Sequence, residues 1–325
     1  NSITEKTKIR GTLEIICAST EFSTLPLRHE EEMQLKQINM SSIKMSQNTN
    51  YEDSSSKALI LLHAHMSRQV LSTELNGDLK VILHDSVKLI QAFVDVVASQ
   101  SWLKPALAAM ELSQMVVQGL WEKDSPLLQI PHFTNTIVDR VKKAGAESVF
   151  DILEMEDDIR EEALQLSPGQ MSDVALFCNR YPNIDLNFEI NLEEVETEAG
   201  AEAEAEGRIS TYNVVAGDVV TMTIAVQREV DEDDDDEVAS AGIVISSKYP
   251  YPKNESWWLI IGDKSRNTLL SIKRISLTLT GKYKIQFTAP EDFGIGIKHE
   301  LTLFFMSDSY LGCDQEYDFN VICLD

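Results

Sequence analysis

The feature that most constrains this chain is a change in the spacing of its apolar residues near Tyr181 and Pro182. Before that point apolar residues recur every three to four positions, which is typical of amphipathic helices. After it they alternate with polar residues, as in "IDLNFEI", which is typical of strands with one buried face. The sequence therefore predicts a helical first part and a β-rich second part.

The helical part divides into two predicted units. Residues 1–123 carry long helical patterns and predict a helical bundle, interrupted at 39–57 by a polar stretch that we interpret as a flexible connection. Residues 124–183 carry shorter amphipathic patterns, "TNTIVDRVKKAG", "VFDILEMEDDIREEALQL" and "SPGQMSDVALFCNRY". Short helices joined by tight turns predict a helix-loop-helix module.

Residues 184–325 contain several alternating or apolar runs separated by turn signals. About seven strands of this kind predict an antiparallel β-sandwich of the immunoglobulin or fibronectin type, with Trp257 or Trp258 in its core. Two acidic tracts, at 193–207 and 229–237, interrupt the pattern and are interpreted as solvated loops. The predicted fold class is multidomain α+β.

The charge balance restricts the kind of partner. The chain has 53 acidic and 28 basic residues and a formal charge of −25, which repels a phosphate backbone unless basic groups cluster. Its four cysteines form no C-x-x-C pair, and no apolar run approaches the roughly 18 residues of a membrane span. The chain does not begin with Met, and we expect it to be a piece of a longer polypeptide without membrane contact.

Three motifs could indicate catalysis or metal binding. The acidic box Asp231 to Asp234 resembles a magnesium site of ATPases, but the chain contains no G-x-x-x-x-G-K-[ST] phosphate loop, so we interpret it as a charged loop. His63 and His65 are two positions apart, which directs them to different sides of a helix, one packed and one solvated. Cys178 and Cys323 lie in apolar patterns where packing is the default. We predict no catalytic, cofactor-binding or metal-binding residue.

The segment "WLKPALAAMELSQMVVQGLW", residues 102–121, predicts a central helix because it is apolar on two sides. Its polar residues Glu111, Gln114 and Gln118 fall on one narrow strip. This strip is either a satisfied structural seam or a contact surface.

Basic residues are sparse, and most local groups are interpreted as solvated faces. Lys273 and Arg274 are adjacent in a predicted strand of the β-sandwich. Exposed sheet faces present varied side chains on a rigid scaffold, so we take these two residues as candidate partner contacts.

Long stretches of the chain resemble one known family. They are "SWLKPALAAMELSQMVVQGLWEKDSPLLQIPHF", "ESVFDILEMEDD", "FCNRYPNIDL", "SWWLIIGD", "SIKRISL" and "FFMSDSYLGCDQEYDF". In this order they resemble the second Sec63 homology unit, in the C-terminal region, of the large spliceosomal RNA helicases of the Brr-two type. The resemblance implies the same succession of helical bundle, helix-loop-helix module and immunoglobulin-like domain. The two acidic tracts are longer than the family pattern.

The resemblance also implies a functional setting. Helicases of this type belong to the U5 small nuclear ribonucleoprotein in the nucleus, where they unwind small nuclear RNAs with ATP. Their second cassette is thought to regulate and to bind partners. The helix at 102–121 resembles the ratchet helix along which RNA moves in active cassettes, yet Glu111, Gln114 and Gln118 supply no cation or stacking group.

We therefore expect a noncatalytic accessory unit that docks the helicase cassette domains of its own parent and other spliceosomal proteins, with weak or no RNA contact. ATP and magnesium are expected only in cassette domains outside this chain. The alternative is a module that guides single-stranded RNA directly.

Overall fold

The computed structural model describes residues 3–43, 49–192, 210–230 and 241–324. Within these ranges nine α-helices precede two mostly antiparallel sheets, which confirms the α+β class. The helices are α1 (Ile9–Cys17), α2 (Glu32–Ile38), α3 (Ser54–Met66), α4 (Thr73–Ser99), α5 (Leu103–Gln118), α6 (Asn135–Lys143), α7 (Val149–Glu154), α8 (Asp157–Leu164) and α9 (Pro168–Arg180). No helix in the described ranges is long and apolar enough to cross a membrane.

The second part of the chain forms two sheets. The strands are β1 (Ile184–Ile190), β2 (Thr211–Val215), β3 (Val219–Arg228), β4 (Trp257–Asp263), β5 (Thr268–Ile275), β6 (Thr280–Thr288), β7 (Lys298–Ser307) and β8 (Gln315–Leu324). A three-stranded sheet has the order β1-β3-β6, and a five-stranded sheet has the order β2-β8-β7-β4-β5. All pairs are antiparallel except β2 with β8, which are parallel.

Both faces of the five-stranded sheet carry core residues, and its strand β4 is buried along its whole length. On one face Trp257 stacks on Phe305 at 4.3 Å between ring centroids, inside a core shared with the three-stranded sheet and helices α6 to α9. On the other face Trp258, Ile260 and Phe304 join the core of helices α1 to α5. The sequence predicted that Trp257 or Trp258 lies in the core. The structure buries both residues, each in a different core.

Glycine at position 262 permits the close approach of the helices to this sheet. A Cβ at Gly262 of β4 would lie 2.7 Å from Cδ1 of Leu103, the first residue of α5. The backbone N–H of Leu103 also donates to Asn267 O at 3.2 Å. The beginning of α5 is therefore fixed directly on the five-stranded sheet. Helices α1 to α5 pack closely against this sheet.

Three sequence expectations need correction. Helix α3 begins at Ser54, where Asp53 caps it by accepting from Ser56 N, so residues 54–57 are not part of a flexible connection. The pattern expected as one helix at 149–166 is two helices, because Met155 is extended between α7 and α8. The sequence did not predict strand β2. It also predicted only antiparallel pairs, whereas β2 pairs with β8 in parallel.

Other expectations are confirmed or remain open. Helix α9 begins at Pro168 after a Ser167 cap, as the sequence predicts. The acidic box Asp231 to Asp234 and the tract at 193–207 lie outside the described residues. The unit boundaries at 123 and 183 stay predictions.

Candidate interaction surfaces

The two glutamines of the polar strip on α5 are buried against the end of β7 and the loop that follows it. Gln114 Nε2 donates to Ser307 O and Gln118 Nε2 donates to Ser309 O, each at 2.8 Å. Both glutamine side chains are almost fully buried. A buried carbonyl without a donor costs about 1–3 kcal/mol, so these bonds stabilise the contact between the helix and the sheet. For Gln114 and Gln118 the strip is a structural seam.

Asp314 closes the same seam from the other side. Gln114 Nε2 donates to Asp314 Oδ2 at 2.8 Å, and Ser307 N donates to Asp314 Oδ1 at 2.7 Å. Burial raises the pKa of the Asp314 carboxyl to about 7, although the bond from Gln114 acts in the opposite direction. The seam therefore contains a carboxyl group that titrates near neutral pH.

Glu111, the third residue of the strip, is separate from the two glutamines and is exposed. Partial burial is the main cause that raises the pKa of the Glu111 carboxyl, and the negative charges of Glu122 and Glu316 raise it further. The three residues thus do not form one surface, and of the three only Glu111 is exposed to solvent. The correspondence of α5 to a ratchet helix stays a prediction.

Lys273 and Arg274 lie next to each other on β5 but have different surroundings. Lys273 Nζ donates to Lys284 O at 2.9 Å and is exposed. The Arg274 guanidinium lies 5.7 Å from the ring centroid of Trp258, and its Nη2 is 3.5 Å from Oδ2 of the buried Asp308. Arg274 therefore supports the fold as well as lying at the surface. The role of both residues as partner contacts stays a prediction.

A groove of about 750 Å³ lies where α1, the end of α3, the end of α5 and the start of α6 meet. Trp121 lines it, with Nε1 donating to Ser67 Oγ at 2.9 Å and its ring 4.8 Å from that of His63. Its rim carries both signs of charge, including Arg10 and Glu122. Such a half-buried tryptophan in a groove is typical of protein contact sites.

The histidine pair is directed to different sides of α3, as the sequence predicts. His63 faces Trp121, while His65 Nε2 lies 2.8 Å from Val116 O. Both rings are buried, so the expectation that one of them is solvated is wrong. Burial lowers the pKa of each to about 4, which keeps them neutral at pH 7. The described residues contain no group of three His, Cys, Asp or Glu side chains arranged to hold a metal ion.

Sequence reasoning missed a buried ionic cluster around Lys57. Lys57 Nζ is fully buried and donates to Pro26 O, Glu31 Oε2 and Asp78 Oδ2, each at 2.6 Å. Arg28 Nη1 donates to Asp78 Oδ2 at 2.7 Å. This cluster joins the segment before α2 to α3 and α4. The capping signal at Asp53 could have shown that Lys57 belongs to a helix.

The helices and the two sheets form a mixed α+β unit. The seam between α5 and the five-stranded sheet joins its helical and β-rich parts. The chain belongs to the family described as the Sec63 Brl domain, whose model matches residues 1–320. The family predicted from the sequence is thereby confirmed.

Individual relatives agree with this assignment. The chain is 43% identical over 320 residues to the U5 small nuclear ribonucleoprotein 200 kDa helicase of Homo sapiens. It is 43% identical over 325 residues to the protein of the same name from Drosophila melanogaster and 41% identical over 322 residues to the DExH-box ATP-dependent RNA helicase DExH12 of Arabidopsis thaliana. Each match covers 98% of this chain and 14% of the relative, so the chain spans a small part of their length.

Proposed function

We propose that this chain is a noncatalytic accessory unit of a nuclear, spliceosomal ATP-dependent RNA helicase and works as a protein-docking and regulatory platform. Its partners would be the helicase cassette domains of its own parent and other spliceosomal proteins. The proposal retains the succession of helical bundle, helix-loop-helix module and immunoglobulin-like sandwich. ATP and magnesium would act in the cassette domains rather than in this unit.

The burial of Gln114 and Gln118 is the observation that best supports this proposal. A helix that moves RNA needs cations or stacking groups directed at the strand. On α5 the two amides donate to backbone carbonyls at the end of β7 and in the loop that follows it. The remaining polar residue of the strip, Glu111, carries a carboxylate that repels phosphate. These bonds of α5 hold the helical part of the chain against the five-stranded sheet. A rigid contact of this kind suits a docking platform.

RNA affinity across a salt series tests the platform against the RNA-guiding alternative. We expect weak binding of single-stranded RNA by the native chain. Glu111→Arg should strengthen it only as much as the control Glu161→Arg, an equal charge change on exposed α8, because neither position lies on an RNA path. Tight binding by the native chain with a steep salt slope, or a gain confined to Glu111→Arg, would favour the RNA-guiding alternative.

Crosslinking mass spectrometry on the assembled particle tests the docking role itself. We expect protein crosslinks from the surface of this unit to cassette domains and to neighbouring spliceosomal proteins. Crosslinks to RNA alone would contradict the proposal. A parallel assay of ATP hydrolysis by the isolated chain should show no activity, because the sequence contains no phosphate loop.

A further inference from the structure

A second groove, of about 360 Å³, concentrates positive charge in this acidic protein. It lies between the end of α3, the first half of α4 and the loop at 247–250. Arg68, Lys80 and Lys248 line it, and its lining contains no Asp or Glu. In a chain with a formal charge of −25, three cations without a lining carboxylate are a marked local exception.

Two of the three cations of this groove are available to an external anion. Lys80 and Lys248 are exposed, and neither forms an ion pair within the described ranges. The Arg68 guanidinium is held in place because it donates to Gly119 O at 3.0 Å and to Leu128 O at 2.8 Å. Burial and the charge of Arg68 lower the pKa of Lys248. Bound negative charge would relieve this repulsion.

The rest of the groove is lined by neutral polar and aliphatic residues, the polar ones being Gln69, Asn76 and Ser247. Its apolar lining consists of Val70, Leu71, Leu79, Leu83 and Pro250. Val70 is 99% exposed, which leaves an apolar side chain beside the cations without cover from the described residues. The only aromatic ring in the lining belongs to His65, which is buried and contacts Val116 O. Bases of single-stranded RNA bind by stacking on aromatic rings, whereas leucine and valine side chains pack on aliphatic ones.

We propose that this groove binds an acidic segment of a partner protein, with carboxylates facing Lys80 and Lys248 and an aliphatic side chain on the exposed Val70. The argument is charge complementarity together with one exposed aliphatic side chain beside the cations. This inference rests on the proposed docking function and specifies the chemistry of one partner.

Fluorescence anisotropy with a defined probe tests the proposal on the 325-residue chain. The probe is a fluorescein-labelled ten-residue peptide of alternating glutamate and leucine, compared with its glutamine counterpart. Lys80→Glu combined with Lys248→Glu should weaken glutamate-peptide binding by about tenfold or more, because two attractive contacts become repulsive. The control pair Lys142→Glu and Lys298→Glu makes the same net charge change at exposed sites elsewhere and should change affinity by about twofold or less.

Each outcome distinguishes the alternatives. Tight binding of the glutamate peptide that is lost only in the groove variant supports the proposal, as does weak binding of the glutamine peptide. Equal losses in both variants would show nonspecific charge attraction and overturn it. Stronger binding of a uridine oligonucleotide than of the peptide, lost in the groove variant, would assign the groove to RNA. Lys80→Gln with Lys248→Gln, which avoids new carboxylates, should also weaken glutamate-peptide binding, and a melting temperature equal to that of the native chain would show that the loss is not due to unfolding.

Crosslinking separates the groove proposal from the docking function. If crosslinking places protein partners only on other surfaces, the groove proposal fails and the docking function stands. If crosslinking finds no protein partner, the docking function fails as well.

Discussion

Asp314 allows a direct test of the seam between α5 and the sheet. Its buried carboxyl has a pKa of about 7, whereas the ordinary value is 3.8. Because the folded protein holds this proton more tightly than the unfolded chain, the stabilising contribution is greatest at low pH. It is lost as the pH rises from about 4 to about 7. The pKa difference corresponds to about 4 kcal/mol of unfolding free energy, since one unit is about 1.4 kcal/mol.

Replacing Asp314 by Asn should remove this pH dependence. The amide oxygen, in the place of Oδ1, can still accept from Ser307 N and from Gln114 Nε2, and the buried charge is absent. The new amide NH2 takes the place of Oδ2 and loses the bond from Gln114 there, so the gain stays below the full pKa difference. We expect Asp314→Asn to be more stable than the native chain by about 2–4 kcal/mol at pH 8, and by less than about 1 kcal/mol near pH 4.5. Urea denaturation of both proteins at a series of pH values measures this difference directly.

Asp95→Asn is the matched control, because it removes the same charge from an exposed position of α4. Comparing the two variants separates the buried group from the general effect of net charge. The reasoning is refuted if the difference between Asp314→Asn and the native chain does not change with pH. It is also refuted if the native chain is the more stable protein at pH 8.

Three further substitutions test other contacts by thermal and chemical denaturation. Gly262→Ala should destabilise the chain by about 1–3 kcal/mol, because the added Cβ overlaps the buried Leu103 side chain. Gly119→Ala should cost about 1–2 kcal/mol, since this residue ends α5 with φ of +59°. Lys57→Met should cost about 3–5 kcal/mol by leaving buried carboxylates without their central cation, whereas Lys36→Met on exposed α2 should cost less than about 0.5 kcal/mol. Equal effects of the two lysine substitutions would contradict the assigned role of the buried cluster.

Sequence periodicity predicted the elements whose signals are local. Helix α9 follows from Ser167, Pro168 and Gln170, which form its cap within four positions. Strand β2 was missed because it has five residues and pairs with β8, more than 100 positions away. Met155 ends α7 in an extended conformation that no Gly or Pro marks in the sequence.

The candidate surfaces were less predictable because their environment comes from distant parts of the chain. Helical spacing shows that Gln114 and Gln118 share a face, but the carbonyl that Gln114 contacts lies 193 positions further along. The groove of Lys80 and Lys248 likewise combines a helix with a loop of the β-rich part. The spacing of residues in the sequence shows which side chains lie on the same face of a helix or strand. It does not show which distant segment packs against that face.

Strand β4 belongs to both hydrophobic cores, with Trp257 facing one and Trp258 facing the other. Loss of either core would expose one face of a strand that is buried along its whole length. We therefore expect the cores to melt together in a single calorimetric transition. Because β4 joins the two cores, we also expect a displacement of helices α1 to α5 to move the five-stranded sheet with them.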